Sequence, residues 1–165
     1  MDETQQALVR ATFAKIAPIS DQAGAMLYER MFAINPGLRR LFAIDIETQG
    51  AKLMAVLKIA IANLHRLDEI MPTVRELGRR HAQYGVKDRD YDTGGIALLA
   101  TLEAALGDEF TPAVRAAWRA CYEVLVGEMK AAAAVEEGGI VIAACREAGR
   151  MRPSASSGRG SAHNH

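Results

Sequence analysis

Apolar residues recur at helical spacing along nearly the whole chain, and no segment alternates with period two. Leu8, Ala11, Phe13 and Ile16 predict a first helix, ended by Pro18. Ser20 or Asp21 can cap a second, whose apolar positions include Met26, Leu27, Met31, Phe32 and Ile34. Asn35-Pro36 joins a good N-cap to a residue suited to the first helical position, so a short third helix reaches about Phe42. A loop from Ala43 to Thr48 follows. The fourth helix runs from near Thr48 to about His65, with Leu53, Val56, Leu57, Ala60, Ile61 and Leu64 as its buried stripe. Leu67 to Met71 reads as a connection, after which Pro72 opens a helix that Gly85 ends. Val86 to Arg89 is a loop. A long helix runs from Asp90 to Leu106, and Thr111-Pro112 begins the last, through Trp118, Tyr122, Leu125, Val126 and Met129.

The pattern predicts an all-α domain over residues 1–135. Beyond it, Glu136-Glu137-Gly138-Gly139 breaks the periodicity, and Ile140 to Cys145 is a brief apolar stretch that could dock or form a loose helix. From Gly149 onward the chain is Arg, Ser, Gly, Ala, Asn and His with no large apolar residue after Met151, a composition that cannot offset its ordering entropy. Residues 136–165 are therefore expected to form a largely disordered extension.

Composition narrows the function without naming it. The 165 residues suit one domain with a full-sized core. Lys+Arg and Asp+Glu balance at 20 each, so no overall field recruits nucleic acid or anionic lipid. The N-terminus, Met-Asp-Glu-Thr-Gln-Gln, lacks the character of a secretory signal, and no apolar run approaches membrane-spanning length. Cys121 and Cys145 form neither a metal-ligand spacing nor a disulfide framework and read as reduced thiols in a cytoplasmic protein.

Chemistry concentrates around one histidine. Val74, Leu77 and Gly78 lie seven, four and three residues before His81, so on a helix all four share a face. An imidazole on such a face is either a hydrogen-bonded core group or a metal ligand. Gln49 leads the apolar stripe of the fourth helix and is either solvent-facing or aimed at something polar inside. Tyr28 can be a core tyrosine with a satisfied hydroxyl, and Phe42 an aromatic plug.

In combination these residues resemble a known family. Tyr28-x-x-Met31-Phe32-x-x-Asn35-Pro36-x-Leu38-Arg39-x-Leu41-Phe42 is similar to a segment of the globins, in particular single-domain bacterial haemoglobins and the globin module of flavohaemoglobins. Gln49 falls 32 residues before His81, as the distal residue precedes the proximal one in those globins. Leu77-Gly78-Arg79-Arg80-His81 with Gly85-Val86, then Leu106-Gly107 and Phe110-Thr111-Pro112-Ala113-x-x-Ala116-Ala117-Trp118, also resemble neuroglobin.

The resemblance implies a three-over-three helical sandwich around haem b, with His81 as the proximal iron ligand. It implies that Phe42 packs on the porphyrin, that Leu53 crowds the distal pocket one turn after Gln49, and that Val86 and Tyr91 adjoin the cofactor. Tyr28 and Gln49 become distal donors that stabilise negative charge on bound oxygen. Lys52 and Arg80 are candidates to meet the haem propionates, or are solvated surface cations. Glutamine stands where neuroglobin carries a distal histidine, so His81 is expected to be the sole protein ligand. Bacterial relatives pair the proximal histidine with a tyrosine and a glutamate; Tyr91 matches the former, but the latter position holds Ala133, which implies a less activated ligand.

The implied function is reversible O2 binding with dioxygenation of nitric oxide to nitrate, Tyr28 and Gln49 being the catalytic pair and an external reductase supplying electrons. The alternative is non-enzymatic oxygen storage, delivery or sensing. Neither nucleic acid nor membrane is expected as a partner, and the chain is expected to be a monomer or homodimer.

Overall fold

The computed structural model of the chain describes residues 1–42 and 45–150, with residues 136–150 described as backbone alone. Six α-helices make up the described part: α1 (Glu3–Ile16), α2 (Ser20–Ile34), α3 (Ile46–Ala62), α4 (Leu67–Gln83), α5 (Asp88–Leu106) and α6 (Pro112–Arg150). Among the described residues there is no strand, and no helix is long and apolar enough to cross a membrane. The chain divides into two compact units, Met1–Ala133 and Ala134–His165, and every residue of the candidate site lies in the first.

Local chemistry sets most helix ends. At α1 the Asp2 carboxylate accepts from the Gln5 N–H at 2.7 Å while the Gln5 side chain accepts from the Asp2 N–H at 3.2 Å, a reciprocal cap. Asp45 caps α3 by accepting from the Thr48 N–H at 2.9 Å, so that helix starts before Thr48. The expected third helix is a 3-10 run, Pro36–Leu41, where the Asn35 side chain accepts from the Gly37 N–H at 3.1 Å.

Three sequence expectations need correction. Helix α4 begins at Leu67 rather than Pro72, which sits inside it. Proline there forfeits one backbone bond close to the helix start, and Asp68 and Glu69 favour the first turn through the helix dipole. The buried face of α3 also differs in part: Ala60 and Ile61, with Leu64 just beyond the helix, are buried as the stripe predicts, but Gly50 and Met54 are buried too and Val56 is 42% exposed. Thirdly, helical backbone continues through Gly138-Gly139, where the pattern predicts a break. Two glycines cost about 1 kcal/mol each against alanine, which does not stop propagation from the Ala131–Ala134 run before them. The expected disorder beyond residue 150, and the Ala43-Ile44 part of the expected loop, fall outside the described residues.

The core joins α1, α2, α3, α5 and α6 around Trp118, which is 1% exposed. Its indole N–H donates to Thr12 Oγ1 at 2.9 Å, and that hydroxyl donates to the Leu8 carbonyl at 2.7 Å, so both buried polar groups are satisfied. Two glycines permit backbone contact between helices. A Cβ on Gly24 would lie 2.7 Å from the Gly50 carbonyl oxygen, so α2 and α3 cross with nothing between them. A Cβ on Gly78 would collide with the Met129 backbone, which brings α6 directly against α4 one turn before His81.

Gly24→Ala should lower the free energy of unfolding by about 1–3 kcal/mol, because the methyl group must force the two helices apart. The test is a urea melt. Helix propensity alone favours alanine by about 1 kcal/mol, so a stabilised variant would show that the crossing does not constrain the fold.

Candidate functional site

Helix α2 turns Gly24, Leu27, Tyr28 and Met31 inward, at the spacing of one helical face. Gly24 and Gly50 pin α2 to α3 one turn before Tyr28 and one residue after Gln49. The 3-10 run then returns Phe42 to the same place. Tyr28, Phe32 and Phe42 form an aromatic triangle, with centroids 5.2 Å apart for Tyr28–Phe42, 5.6 Å for Phe32–Phe42 and 6.0 Å for Tyr28–Phe32. The two contacts made by Phe42 are edge-on, an orientation favoured by ring quadrupoles.

This triangle walls a cavity of about 500 Å³, within the range of cofactor and ligand sites. Its lining is Tyr28, Phe32, Arg39, Phe42, Asp45, Ile46, Glu47 and Gln49. Burial raises the Tyr28 pKa, and the Gln49 side chain partly offsets the rise. The hydroxyl therefore keeps its proton at neutral pH and is available as a donor. Arg39 extends along the wall, its guanidinium 5.6 Å from the centre of the Phe32 ring. Asp45 is engaged by the Thr48 N–H and hydroxyl, which hold its carboxyl below the usual range.

His81 is set by α4. Its Nδ1 lies 2.8 Å from the Leu77 carbonyl oxygen, one turn back. A carbonyl only accepts, so the contact selects the tautomer protonated at Nδ1 and leaves a lone pair on Nε2. Burial lowers the His81 pKa, with the Leu77 carbonyl opposing, so the ring is neutral at pH 7. The His81 carbonyl accepts from the Val86 N–H at 3.0 Å as the chain leaves the helix through Gly85, whose φ is +90°. The ring of Tyr91, from α5, stacks on His81 at 6.0 Å between centroids, with planes 23° apart. Burial, then the charge of Asp88, push the Tyr91 hydroxyl up to about 12. The Tyr122 hydroxyl donates to the Tyr91 carbonyl and fastens α6 to the start of α5.

The sequence-predicted residues thus fall into two described groups, Tyr28 with Phe42 and Gln49, and His81 with Tyr91 and Val86. Leu53 is partly buried against the core and is not among the cavity-lining residues. Lys52 is exposed, and Arg80 is exposed with its Nε 3.5 Å from a Glu76 carboxylate oxygen. Cavity-lining Phe32, Arg39, Asp45, Ile46 and Glu47 were not singled out as site residues by the sequence. For Arg39 a signal existed, since it lies in the same motif as Phe42; Asp45 and Glu47 fell in the expected Ala43–Thr48 loop. Cys121 is buried, which raises its thiol to about 11 and leaves it inert.

The donor set is informative. Among the described residues no group of three or more His, Cys, Asp or Glu could hold a metal ion. One neutral imidazole with a free lone pair suits a metal that arrives with its other ligands, as in a porphyrin.

Residues 25–129 match the family described as Globin. A flavohemoprotein of Bacillus subtilis (strain 168) is 28% identical over 128 residues, covering 76% of this chain and 32% of that protein. One from Halalkalibacterium halodurans is 30% identical over 126 residues, covering 74% and 30% respectively. A neuroglobin of Danio rerio is 26% identical over 143 residues, covering 78% of this chain and 90% of the relative. The chain spans less than a third of the length of the two flavohemoproteins.

Phe42→Ala should destabilise the protein by about 2–4 kcal/mol, because the ring contacts both other aromatics. Denaturant unfolding measures the loss. An unchanged midpoint would show that the triangle does not hold the cavity wall.

Proposed function

Because the chain belongs to the globin family, we propose that it holds haem b through His81, binds O2 reversibly, and converts nitric oxide with O2 to nitrate using electrons from an external reductase. Family membership carries haem-based binding of small gaseous ligands. The observation that supports it best is a buried, protonated Tyr28 hydroxyl beside Gln49 in an aromatic-walled cavity.

When bound, haem would supply a redox-active iron able to bind a small gas. The chain's own residues do the rest. His81 would hold the iron through Nε2, the nitrogen left unprotonated by the Nδ1 contact with the Leu77 carbonyl. Tyr28 and Gln49 contribute O–H and N–H donors wherever a diatomic ligand draws negative charge, which favours O2 over carbon monoxide. Phe42 and Phe32 supply apolar wall beside those donors. Val86 and Tyr91 would adjoin the proximal side, while Leu53, which packs against the core outside the cavity lining, is given no contact with the ligand. Arg39, Lys52 and Arg80 are the cations proposed to meet haem carboxylates. Arg39 already lines the cavity, and so is the better placed of the three.

A second reading is reversible O2 binding without nitric oxide turnover.

Purified protein should be coloured or take up added hemin to one equivalent, giving a Soret band, and His81→Ala should lose most of that retention. A preparation that stays colourless with hemin would end the haem reading. Stopped-flow mixing of the oxygenated protein with nitric oxide should yield one nitrate per haem in a single fast step, with multiple turnovers once a reductase is added. Failure to turn over with any cellular reductase supports the second reading. Tyr28→Phe should raise the O2 dissociation rate about 10-fold or more, the equivalent of one polar contact of ~1.4 kcal/mol. An unchanged rate would mean that the hydroxyl does not reach the ligand.

A further inference from the structure

The proximal side contains a charge that the proposed function leaves unused. Lys130, on α6, places its ammonium 5.7 Å from the centre of the Tyr91 ring, within cation–π range. The same ring stacks on His81 at 6.0 Å. Two constraints hold this relay in place. Met129, the residue before Lys130, abuts Gly78 with no side chain between, fixing α6 against the helix that carries His81. The Tyr122 hydroxyl, two helical turns before Lys130, holds the Tyr91 carbonyl. The ammonium, the phenol and the imidazole are therefore registered against one another by backbone contacts, not by flexible side chains alone.

We propose that Lys130 is a positioning residue of the proximal side, which acts through Tyr91 to make the His81 imidazole a weaker electron donor and so favours the reduced form of the bound haem iron. The inference rests on the haem reading of His81. A positive charge raises the energy of the ferric centre more than that of the ferrous one, because the ferric centre carries one more unit of positive charge. The Tyr91 ring neighbours both groups, and the partial burial of Lys130 limits dielectric screening of that effect. Asp88 acts on Tyr91 with the opposite sign, but from an exposed position at the first turn of α5. Lys130 is partly buried, so its charge is the less screened of the two.

The test compares wild-type holoprotein with Lys130→Arg, Lys130→Met and Lys130→Glu. Hemin uptake is recorded first, then the midpoint potential by mediated redox titration and the iron–histidine stretch of the ferrous form by resonance Raman. Arg should leave the potential near wild type. Met, which keeps the volume without the charge, should raise the oxidised-to-reduced ratio at the wild-type midpoint about threefold or more, as removal of a partly screened unit charge implies. Glu should raise it further, with the stretch moving to higher frequency in the same order. A residue with only a structural role would alter haem retention or unfolding, but would not order the potentials by charge. If all four proteins take up hemin and share one potential, the inference is overturned while the haem reading stands. If the wild type takes up none, both are overturned.

Discussion

The direct backbone contact between Gly24 and Gly50 is the constraint on which the candidate site depends. Helices usually cross 8–10 Å apart because side chains intervene. Here both helices present glycine at the crossing, and a Cβ on either would lie within 3 Å of the other's backbone. Tyr28 and Gln49 each sit within about one turn of that point. Their separation is consequently set by main chain, the stiffest part of the molecule, and hardly by loop conformation. Phe42 comes from a less regular segment, but two edge-on ring contacts fix it to the same assembly.

Much of the fold was legible because amphipathic helices repeat at a fixed period. The helix order, the Asn35-Pro36 restart and the glycine exits at Gly85 and Gly107 all followed from local chemistry. The misses share a cause. Pro72 carries a strong local signal for a helix start, yet α4 begins a full turn earlier, because one missing N–H near a helix start is a small loss. On α3 the sequence offers apolar residues on more than half the circumference, so periodicity could not choose between the side through Val56 and the one through Gly50 and Met54. Glycine was the deciding residue, and hydropathy gives it no weight.

The site was legible in a different way. Tyr28, Phe42 and Gln49 are each ordinary alone, and only their joint resemblance to a family motif pointed to a common pocket. Arg39 and Glu47 escaped notice because charged residues beside a turn usually face solvent. Lys130 could not have been found from sequence. Its significance comes from the Tyr91 ring, which lies 39 residues earlier on another helix, and no local spacing encodes that meeting.

Trp118 gives the chain an optical property of its own. It is the single tryptophan, 1% exposed, bonded to Thr12 and 6.3 Å from the Phe13 ring. An indole held rigidly in a dry environment emits at short wavelength, and its emission shifts when the core opens to water. A haem bound in the same small domain would drain that emission by energy transfer. One fluorophore at the centre of the helical packing therefore reports both core integrity and cofactor loading, with no label added and no second tryptophan to confuse the signal.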